Sequence, residues 1–328
     1  MKQQSFEKLH TDRWSAFERA LTDLDNPKRM FRPRPAADLE EFVDGYRALC
    51  RDLAIAKKRG YSSRLIVRLN DLVIRGHNAI YLRRSGFARA ALEFFLRDFP
   101  RRVRAEWRYV LAAAMLFVGP GLGMAAAMSV APEIAYSVLS PEQLSMMDTM
   151  YDPSAAHVGR ERQSDTDFAM FGYYIWNNIS ISFQLFATGL TMGLGTIFYL
   201  IYNGLVIGTV AAHLTMIGYH QTFYPFVVGH GSFELSAIVF AGAAGLMIGT
   251  AIIAPGRFTR LESLKRSGRS AIQIILGTTA MLLVAAFIEA FWSSIGALPA
   301  GVKYAVGAVL WSAVVIYFIG FGRQRGSQ

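Results

Sequence analysis

Residues 168–233 read FAMFGYYIWNNISISFQLFATGLTMGLGTIFYLIYNGLVIGTVAAHLTMIGYHQTFYPFVVGHGSF, a stretch of 66 residues without Asp, Glu, Lys or Arg. A helix that crosses the hydrocarbon core of a bilayer needs about 20 predominantly apolar residues. The stretch is therefore long enough for two spans with short polar connections. Because ordinary soluble domains are about 25% charged, whereas this 328-residue chain is 18% charged and 53% hydrophobic, a membrane protein is predicted.

Further apolar segments lie on both sides of this stretch and complete the predicted fold. The fold class is all-α: a polytopic α-helical membrane protein with about six transmembrane helices, preceded by a small cytoplasmic helical domain. The transmembrane domain is expected over 109–322, with polar connections near 189–195 and 220–229. Its spans are predicted at about 109–131, 171–190, 195–217, 233–254, 271–291 and 302–321. Five spans plus a re-entrant segment are the alternative.

The placement of Lys and Arg predicts the orientation, because cytoplasmic loops are enriched in these residues. Basic residues follow the fourth predicted span at 257–269 and the sixth at 323–325. The loop 132–168 instead holds seven acids and two arginines. We expect a multi-pass membrane protein with both termini in the cytoplasm and the acidic loop outside.

Residues 1–108 have the composition of a basic, water-facing helical domain. They carry 24 of the 34 Lys and Arg residues and 14 of the 24 Asp and Glu residues, which is the whole net charge of +10. Apolar residues recur at three- and four-residue steps between Leu39 and Leu53, with Arg47, Arg51 and Asp52 between them. This spacing is typical of a helix with one buried face. The prediction is a cytoplasmic helical domain.

The end of this domain, at about 86–104, is expected to form an interfacial elbow helix before the first span. Phenylalanines interleave there with arginines that are expected to contact lipid headgroups, namely Arg97, Arg101, Arg102 and Arg104. Nucleic-acid binding is the rival interpretation of this basic run. Positive charge next to a membrane span is expected in any case, so no nucleic-acid partner is predicted.

Small residues at helical spacing are expected to let helix backbones approach closely in lipid. They include Gly204 and Gly208 in the third predicted span and Gly245 and Gly249 in the fourth. Packing between spans of one chain and association into a homo-oligomer both account for them, and both stay open.

Six polar side chains fall within or beside the predicted spans on the external side of the membrane midplane: Asn177, Asn178, His213, His230, Glu234 and Glu289. An ionisable group at the centre of a span costs about 2.5–3.5 kcal/mol. One interpretation is an intramembrane polar cluster that binds an ion, a headgroup or a partner. In the other, each group is satisfied separately, with Glu234 stabilised in the first turn of its helix.

The ionisable residues do not form a recognisable enzyme signature. His230 and Glu234 are four residues apart and share a helix face, but a zinc protease motif needs a second histidine. The single cysteine, Cys50, excludes a cysteine-based metal site. No metal, cofactor or catalytic residue is therefore expected, and an intramembrane hydrolase is kept only as an alternative.

Several short motifs resemble the stage II sporulation protein M (SpoIIM-like) family of integral membrane proteins. The segment with the strongest resemblance contains His230-Gly-Ser-Phe-Glu234, Ala241-Gly-Ala-Ala-Gly245 and Pro255-Gly256-Arg257. Asn177-Asn178, Asn203-Gly204, Asp98-Phe-Pro-Arg101 and Ala286-Phe-Ile-Glu289 match as well. The resemblance implies that His230, Glu234 and Glu289 occupy family positions, without assigning a role to them.

The same resemblance implies a platform in the bacterial inner (plasma) membrane that works with other proteins. Sporulation members act with peptidoglycan-degrading partners during engulfment. Members elsewhere are often encoded beside MoxR-type ATPases and von Willebrand factor A-type proteins. The large basic front domain favours the second group.

We therefore predict a non-enzymatic cell-envelope scaffold that recruits membrane or envelope partners in the lipid bilayer. A transporter or channel that uses the outward polar cluster is the alternative.

Overall fold

A computed structural model of the chain describes residues 2–24, 36–81, 90–154, 167–296 and 298–323. The secondary structure of these residues is helical, without a strand. The chain folds into two compact units, residues 1–93 and residues 94–328. The all-α fold class is confirmed.

The first unit contains three described helices: α1 (Gln3–Leu24), α2 (Ala36–Lys58) and α3 (Ser63–Tyr81). Helix α2 ends at the basic pair Lys57–Lys58, and Gly60 turns the chain with a φ of +61°. One face of each helix contributes to a common apolar core, formed by Phe6, Trp14, Phe17, Leu21, Leu49, Leu53, Ala56, Leu65, Leu69 and Leu72. The three- and four-residue periodicity that predicted one buried face of α2 reflects this core.

One part of that prediction is wrong. Asp52 was expected on the solvated face of α2, but its side chain is buried in the core. Its Oδ2 atom accepts hydrogen bonds from Trp14 Nε1 at 2.8 Å and from the Arg13 guanidinium at 2.5 Å. A buried indole N–H needs an acceptor, and the Asp52 carboxylate provides it.

The second unit contains eight described helices. They are α4 (Phe99–Ala105), α5 (Trp107–Val130), α6 (Pro141–Tyr151), α7 (Asp167–Ala187), α8 (Leu194–Met216), α9 (His220–Ile253), α10 (Arg260–Ile288) and α11 (Ala300–Gly320). A π-helical turn, Phe94–Asp98, precedes α4, and a second one, Glu289–Ser293, continues α10. Five helices in the described residues, α5, α8, α9, α10 with its π-turn, and α11, are long and apolar enough to cross a membrane.

Helix α7 contains the remaining predicted span. It has 21 residues, but Asn177, Asn178 and Gln184 lower its mean hydropathy. Backbone contacts of α5 and α8 argue that α7 also crosses. Gly204 lies against Phe117 and Gly208 lies against Gly121, so α5 and α8 run in the same direction.

The chain must therefore return across the bilayer between α5 and α8. Among the described residues between them, α7 is the one helix of spanning length. This topology agrees with the predicted count of six spans.

Helix α9 begins earlier than predicted. A polar connection was expected at 220–229, yet the helix starts at His220, directly after a turn in which Gly218 has a φ of +88°. Pro225 lies inside the helix, in its second turn, where a proline cannot give the carbonyl four residues earlier its usual N–H donor. Glu234 consequently lies 14 residues after the first residue of α9, and its expected place in the first helical turn is wrong.

Helix α9 is the central helix of the second unit, and it contacts α5, α7, α8, α10 and α11. The predicted packing glycines allow these backbones to meet. A Cβ atom at Gly208 would overlap the carbonyl oxygen of Gly121, and one at Gly245 would overlap that of Leu185. Gly249 lies against the backbone of Gly193. Packing within one chain accounts for all four glycines, and a homo-oligomer stays a prediction.

Residues 94–104 of the predicted elbow segment belong to the second unit, which begins at residue 94 and not at the expected residue 109. The side chains of Phe99 and Val103 are buried in a core shared with α9, α10 and α11. The ring of Phe99 lies against Gly277 and makes edge contacts with Phe240 and Phe318. The predicted residues 86–89 lie outside the described chain.

Three of the four arginines predicted to contact headgroups have protein partners. Arg102 Nε donates to Gln273 Oε1 at 3.0 Å, and a guanidinium N–H of Arg104 donates to the Phe318 carbonyl oxygen at 2.6 Å. Arg101 pairs with Asp98 at 2.8 Å. The bonds of Arg102 and Arg104 attach α4 to α10 and α11. A guanidinium has five N–H donors, so headgroup contacts by these side chains and Arg97 stay a prediction.

The described part of the acidic loop is folded against the helix bundle. Helix α6 begins with a capping box formed by Ser140 and Gln143. Leu144 packs with Met128, and Tyr151 packs with Phe226. A hydrogen bond from the Ser140 hydroxyl lowers the pKa of Glu142, so this side chain stays ionised at neutral pH. Residues 155–166 of the loop lie outside the described chain.

Candidate intramembrane site

Three of the six predicted polar side chains converge inside the helical bundle. His230 and Glu234 lie one turn apart on α9, and Glu289 begins the π-turn after α10. One ligand atom from each of these side chains lies within 4.8 Å of the other two. The His230 Nε2 and Glu234 Oε2 atoms are 3.8 Å apart. The intramembrane site is defined here as His230, Glu234 and Glu289.

The histidine of the intramembrane site is buried and held in one orientation. Its side chain is 5% exposed, and its Nδ1 atom lies 3.0 Å from Ser293 Oγ. The Phe226 ring packs edge-on against the imidazole. Since Nδ1 has this partner, Nε2 is the ring nitrogen available to Glu234 and Glu289.

The π-turn Glu289–Ser293 brings two of these groups to α9. It contributes Glu289 to the site at its first residue and the Ser293 hydroxyl at its last. Trp292 in the same turn lies against Gly229, where a Cβ atom would be 2.7 Å from the indole ring. The glycine before His230 thus permits the close approach. π-turns inside α-helices occur frequently at functional sites.

Sequence reasoning missed Ser293 and Lys303. Lys303 on α11 is 6% exposed, and its Nζ donates to the Ser293 carbonyl oxygen at 2.8 Å. A buried ammonium therefore anchors the turn that supplies Glu289. The available signal was a lysine inside the predicted span 302–321.

The other three predicted residues lie elsewhere. His213 Nε2 is 2.7 Å from Asp148 Oδ1 on α6, so this histidine has its own partner on a neighbouring helix. Asn177 Nδ2 donates to Asn178 Oδ1 at 3.0 Å on α7. The position of a residue along its helix predicts the level of its side chain in the membrane, but it does not predict the direction in which the side chain points. His213 is therefore not part of the site.

Buried polar atoms also lie further along the bundle. Asn178 Nδ2, Ser182 Oγ and Thr278 Oγ1 have no hydrogen-bond partner in the described residues. Asn178 and Ser182 are one turn apart on α7. Thr278 on α10 precedes Glu289 by eleven residues, a distance of about 16 Å along a helix. Buried polar groups are normally hydrogen-bonded, often to ordered water, so these positions favour internal hydration.

The intramembrane site has the chemistry of a cation site. Two carboxylates within 4.8 Å of each other repel when both are ionised, most strongly in a low dielectric. A cation between them replaces that repulsion with attraction. Imidazole nitrogen and carboxylate oxygen atoms are also metal ligands. No metal was expected from the sequence because His230 and Glu234 were considered there without Glu289.

The fold and this site define a multi-pass helical membrane protein with ionisable side chains buried between its spanning helices. The family model described as stage II sporulation protein M matches residues 110–294, which is more than half of the chain. The chain belongs to the stage II sporulation protein M family, as its motifs predicted.

A second family model, described as a domain of unknown function (DUF8413), matches residues 4–82. These residues lie within the first compact unit. Searches of curated proteins and of solved structures returned no match.

Proposed function

We propose that this protein is a non-enzymatic cation transporter of the bacterial plasma membrane, with His230, Glu234 and Glu289 as its binding site. The convergence of these side chains between α9 and α10 carries the proposal. Ionisable groups within spans are costly and mark ion pathways or proton relays. This observation favours the transporter alternative over the scaffold that the sequence favoured.

The buried polar atoms of α7 and α10 support a route through the bundle. Asn178, Ser182 and Thr278 supply polar atoms that have no partner in the described residues. Water at these atoms would extend the polar environment along α7 and α10, away from Glu289. Such a hydrated path is what a cation or proton needs to cross the remaining thickness of the membrane.

The proposed orientation has both termini in the cytoplasm and the intramembrane site in the outer half of the membrane. The basic residues at 257–269, between the end of α9 and the first turns of α10, support a cytoplasmic end for both helices. Thiol labelling from each side of the membrane tests this orientation, with Cys50 replaced and single cysteines introduced at Ser263 and Ser145. The expected result is labelling of Ser263→Cys from the cytoplasm and of Ser145→Cys from outside.

Flux into vesicles tests the transport proposal. Full-length protein in liposomes is expected to conduct at least one cation from a panel containing H⁺, Na⁺, K⁺, Mg²⁺, Mn²⁺ and Zn²⁺. Glu234→Gln and Glu289→Gln are expected to reduce that flux at least tenfold. Glu262→Gln is the matched control, because Glu262 lies near the start of α10 in an exposed pair with Arg266. Wild-type vesicles that are impermeable to the whole panel would contradict the proposal.

Partner recruitment by the first unit is a second candidate function. Residues 1–93 form a compact unit with a core of their own. On α3, Val67 and Ile74 are 67% and 51% exposed and lie seven residues apart on one face. These two exposed apolar side chains on a separate helical unit are the proposed centre of a protein-binding surface. By family resemblance, the expected partners are MoxR-type ATPases or von Willebrand factor A-type proteins.

Crosslinking in intact membranes tests this second function. Recovery of a MoxR-type or von Willebrand factor A-type protein is expected with the wild type and is expected to be lost with Val67→Asp and Ile74→Asp together. Leu9→Asp on α1 is the control, because Leu9 is also 67% exposed. Equal recovery with all variants would exclude the α3 face as the docking surface.

A further inference from the structure

We infer that His230, Glu234 and Glu289 bind a divalent first-row transition metal ion of the Zn²⁺ or Mn²⁺ type. The inference rests on the site of the proposed transport function and specifies the class of cation. It concerns equilibrium binding, which can be measured without any flux.

The donor set selects this class of metal. Mg²⁺ and Ca²⁺ are hard cations that prefer oxygen ligands, whereas imidazole nitrogen suits zinc and the neighbouring transition metals. The intramembrane site combines one imidazole nitrogen with two carboxylate groups. A neutral histidine and two carboxylates also neutralise a divalent ion, so the loaded site carries no net charge of its own inside the bundle.

The distances require only a small closure of the site. Ligand atoms bound tetrahedrally at about 2.0–2.2 Å from zinc are roughly 3.4 Å apart. Those of the intramembrane site lie within 4.8 Å of one another, and His230 Nε2 and Glu234 Oε2 are already 3.8 Å apart. In the loaded site, rotation of the two glutamate side chains would close the remaining gap.

The surroundings of His230 provide independent support. A metal-binding histidine usually has its other ring nitrogen hydrogen-bonded, which fixes the ring and its tautomer. His230 Nδ1 has such a partner in Ser293 Oγ at 3.0 Å, and the Lys303 ammonium holds the Ser293 carbonyl. The π-turn Glu289–Ser293 thus supplies one ligand and also orients another. These contacts leave Nε2 directed at the two carboxylates.

Three protein ligands leave at least one position on the metal for water. Structural zinc sites are closed by four protein ligands, whereas sites with three keep an exchangeable position. The described residues supply three ligands from His, Cys, Asp and Glu at this point. The geometry therefore points to an exchangeable ion, which is the property that a transported ion requires.

Equilibrium titration of the full-length protein in detergent tests the inference. After chelator treatment, the wild type is expected to bind one Zn²⁺ per chain. Co²⁺ is expected to give the visible ligand-field absorption of a four- or five-coordinate site, which Zn²⁺ then abolishes. Mg²⁺ is expected not to compete. This spectroscopic result needs no substitution, so it does not depend on whether a variant folds.

Substitutions then identify the ligands. His230→Gln, Glu234→Gln and Glu289→Gln are each expected to weaken Zn²⁺ binding at least tenfold. His213→Gln and Glu262→Gln are matched controls that remove a histidine or a glutamate away from the site, and they are expected to bind like the wild type. A wild type that binds neither Zn²⁺ nor Mn²⁺, or a His213→Gln variant that loses as much affinity as His230→Gln, would overturn the inference.

The two proposals fail in different ways. Zn²⁺ binding without flux would support the metal site and contradict the transport function. Flux of H⁺ or Na⁺ by a protein that binds no Zn²⁺ or Mn²⁺ would support transport and overturn the metal inference.

Discussion

The Nδ1 atom of His230 lies 3.0 Å from the Oγ atom of Ser293, although the two residues are 63 positions apart in the chain. The contact joins the middle of α9 to the π-turn that ends α10. Because it occupies one ring nitrogen, it directs the other towards Glu234 and Glu289. The orientation of His230 in the intramembrane site therefore depends on the Ser293 hydroxyl, which is not one of the three side chains that define the site.

Replacing this hydroxyl tests the dependence. Ser293→Ala is expected to weaken Zn²⁺ binding about 10–100-fold, as loss of a partner of a ligating histidine typically does. Ser294→Ala is the control, because the Ser294 hydroxyl donates to the Ala290 carbonyl oxygen within the same helical segment. Titration of both variants measures the effect. Equal affinity of Ser293→Ala and the wild type would show that the hydroxyl does not orient His230.

The sequence predicted part of this site because part of it is local. His230 and Glu234 are four residues apart, and helical periodicity alone places them on one face. Glu289 joins them through the packing of α10 on α9, which no periodicity specifies. His213 has a similar depth in its own span, but it faces α6 and pairs with Asp148. The depth of each side chain along its span was predictable from the sequence, whereas the direction in which it points around the helix axis was not.

The glycine contacts lead to a prediction about stability. Gly208→Ala places a Cβ atom on the carbonyl oxygen of Gly121, so α5 and α8 must separate. The expected loss is about 1–3 kcal/mol, typical of overpacking, seen as a lower thermal midpoint in detergent. Gly123→Ala is the control, because nothing lies within 4 Å of a Cβ atom at that position. A Gly208→Ala variant as stable as Gly123→Ala would contradict the described contact between α5 and α8.

Phe99 is expected to anchor the segment before the first span. Its ring is buried against Gly277, whereas Phe95, four residues earlier, is 37% exposed. Phe99→Ala is expected to cost about 3–5 kcal/mol, and Phe95→Ala much less. Thermal unfolding in detergent compares them. If Phe99→Ala lost no more stability than Phe95→Ala, the Phe99 ring would not be buried in the core. The segment would then lie at the membrane surface, as its arginines suggest.

The buried Asp52 gives a prediction about the first unit. Asp52→Ala removes the acceptor of the Trp14 indole N–H, a bond to a charged group worth about 1.5–3 kcal/mol. Hydrogen exchange of the full chain is expected to show faster exchange in α1 and α2. Asp44→Ala is the control, because the Asp44 side chain is 75% exposed. Unchanged exchange in Asp52→Ala would place this carboxylate outside the core.

Composition alone was sufficient to predict some helix boundaries and insufficient to predict others. Long apolar runs predicted α5, α8 and α11 closely, because lipid requires such runs. Helix α9 starts 13 residues before the predicted span, since His220, Pro225 and Gly229 resemble loop residues when their neighbours are unknown. Residues 94–104 of the elbow segment were expected in the basic first domain because of their arginines, whereas the buried side chains of Phe99 and Val103 pack within the second unit.

The convergence of side chains from α9 and α10 supports both proposals, and thiol crosslinking tests it most directly. Cys50 is replaced by Ala, cysteines are introduced by Glu234→Cys and Glu289→Cys, and the loop 254–259 receives a protease site. A short bifunctional thiol reagent is expected to keep the two fragments joined after cleavage, whereas the His213→Cys and Glu289→Cys pair is expected to separate. Separation of the Glu234→Cys and Glu289→Cys pair in well-expressed, folded protein would contradict the intramembrane site.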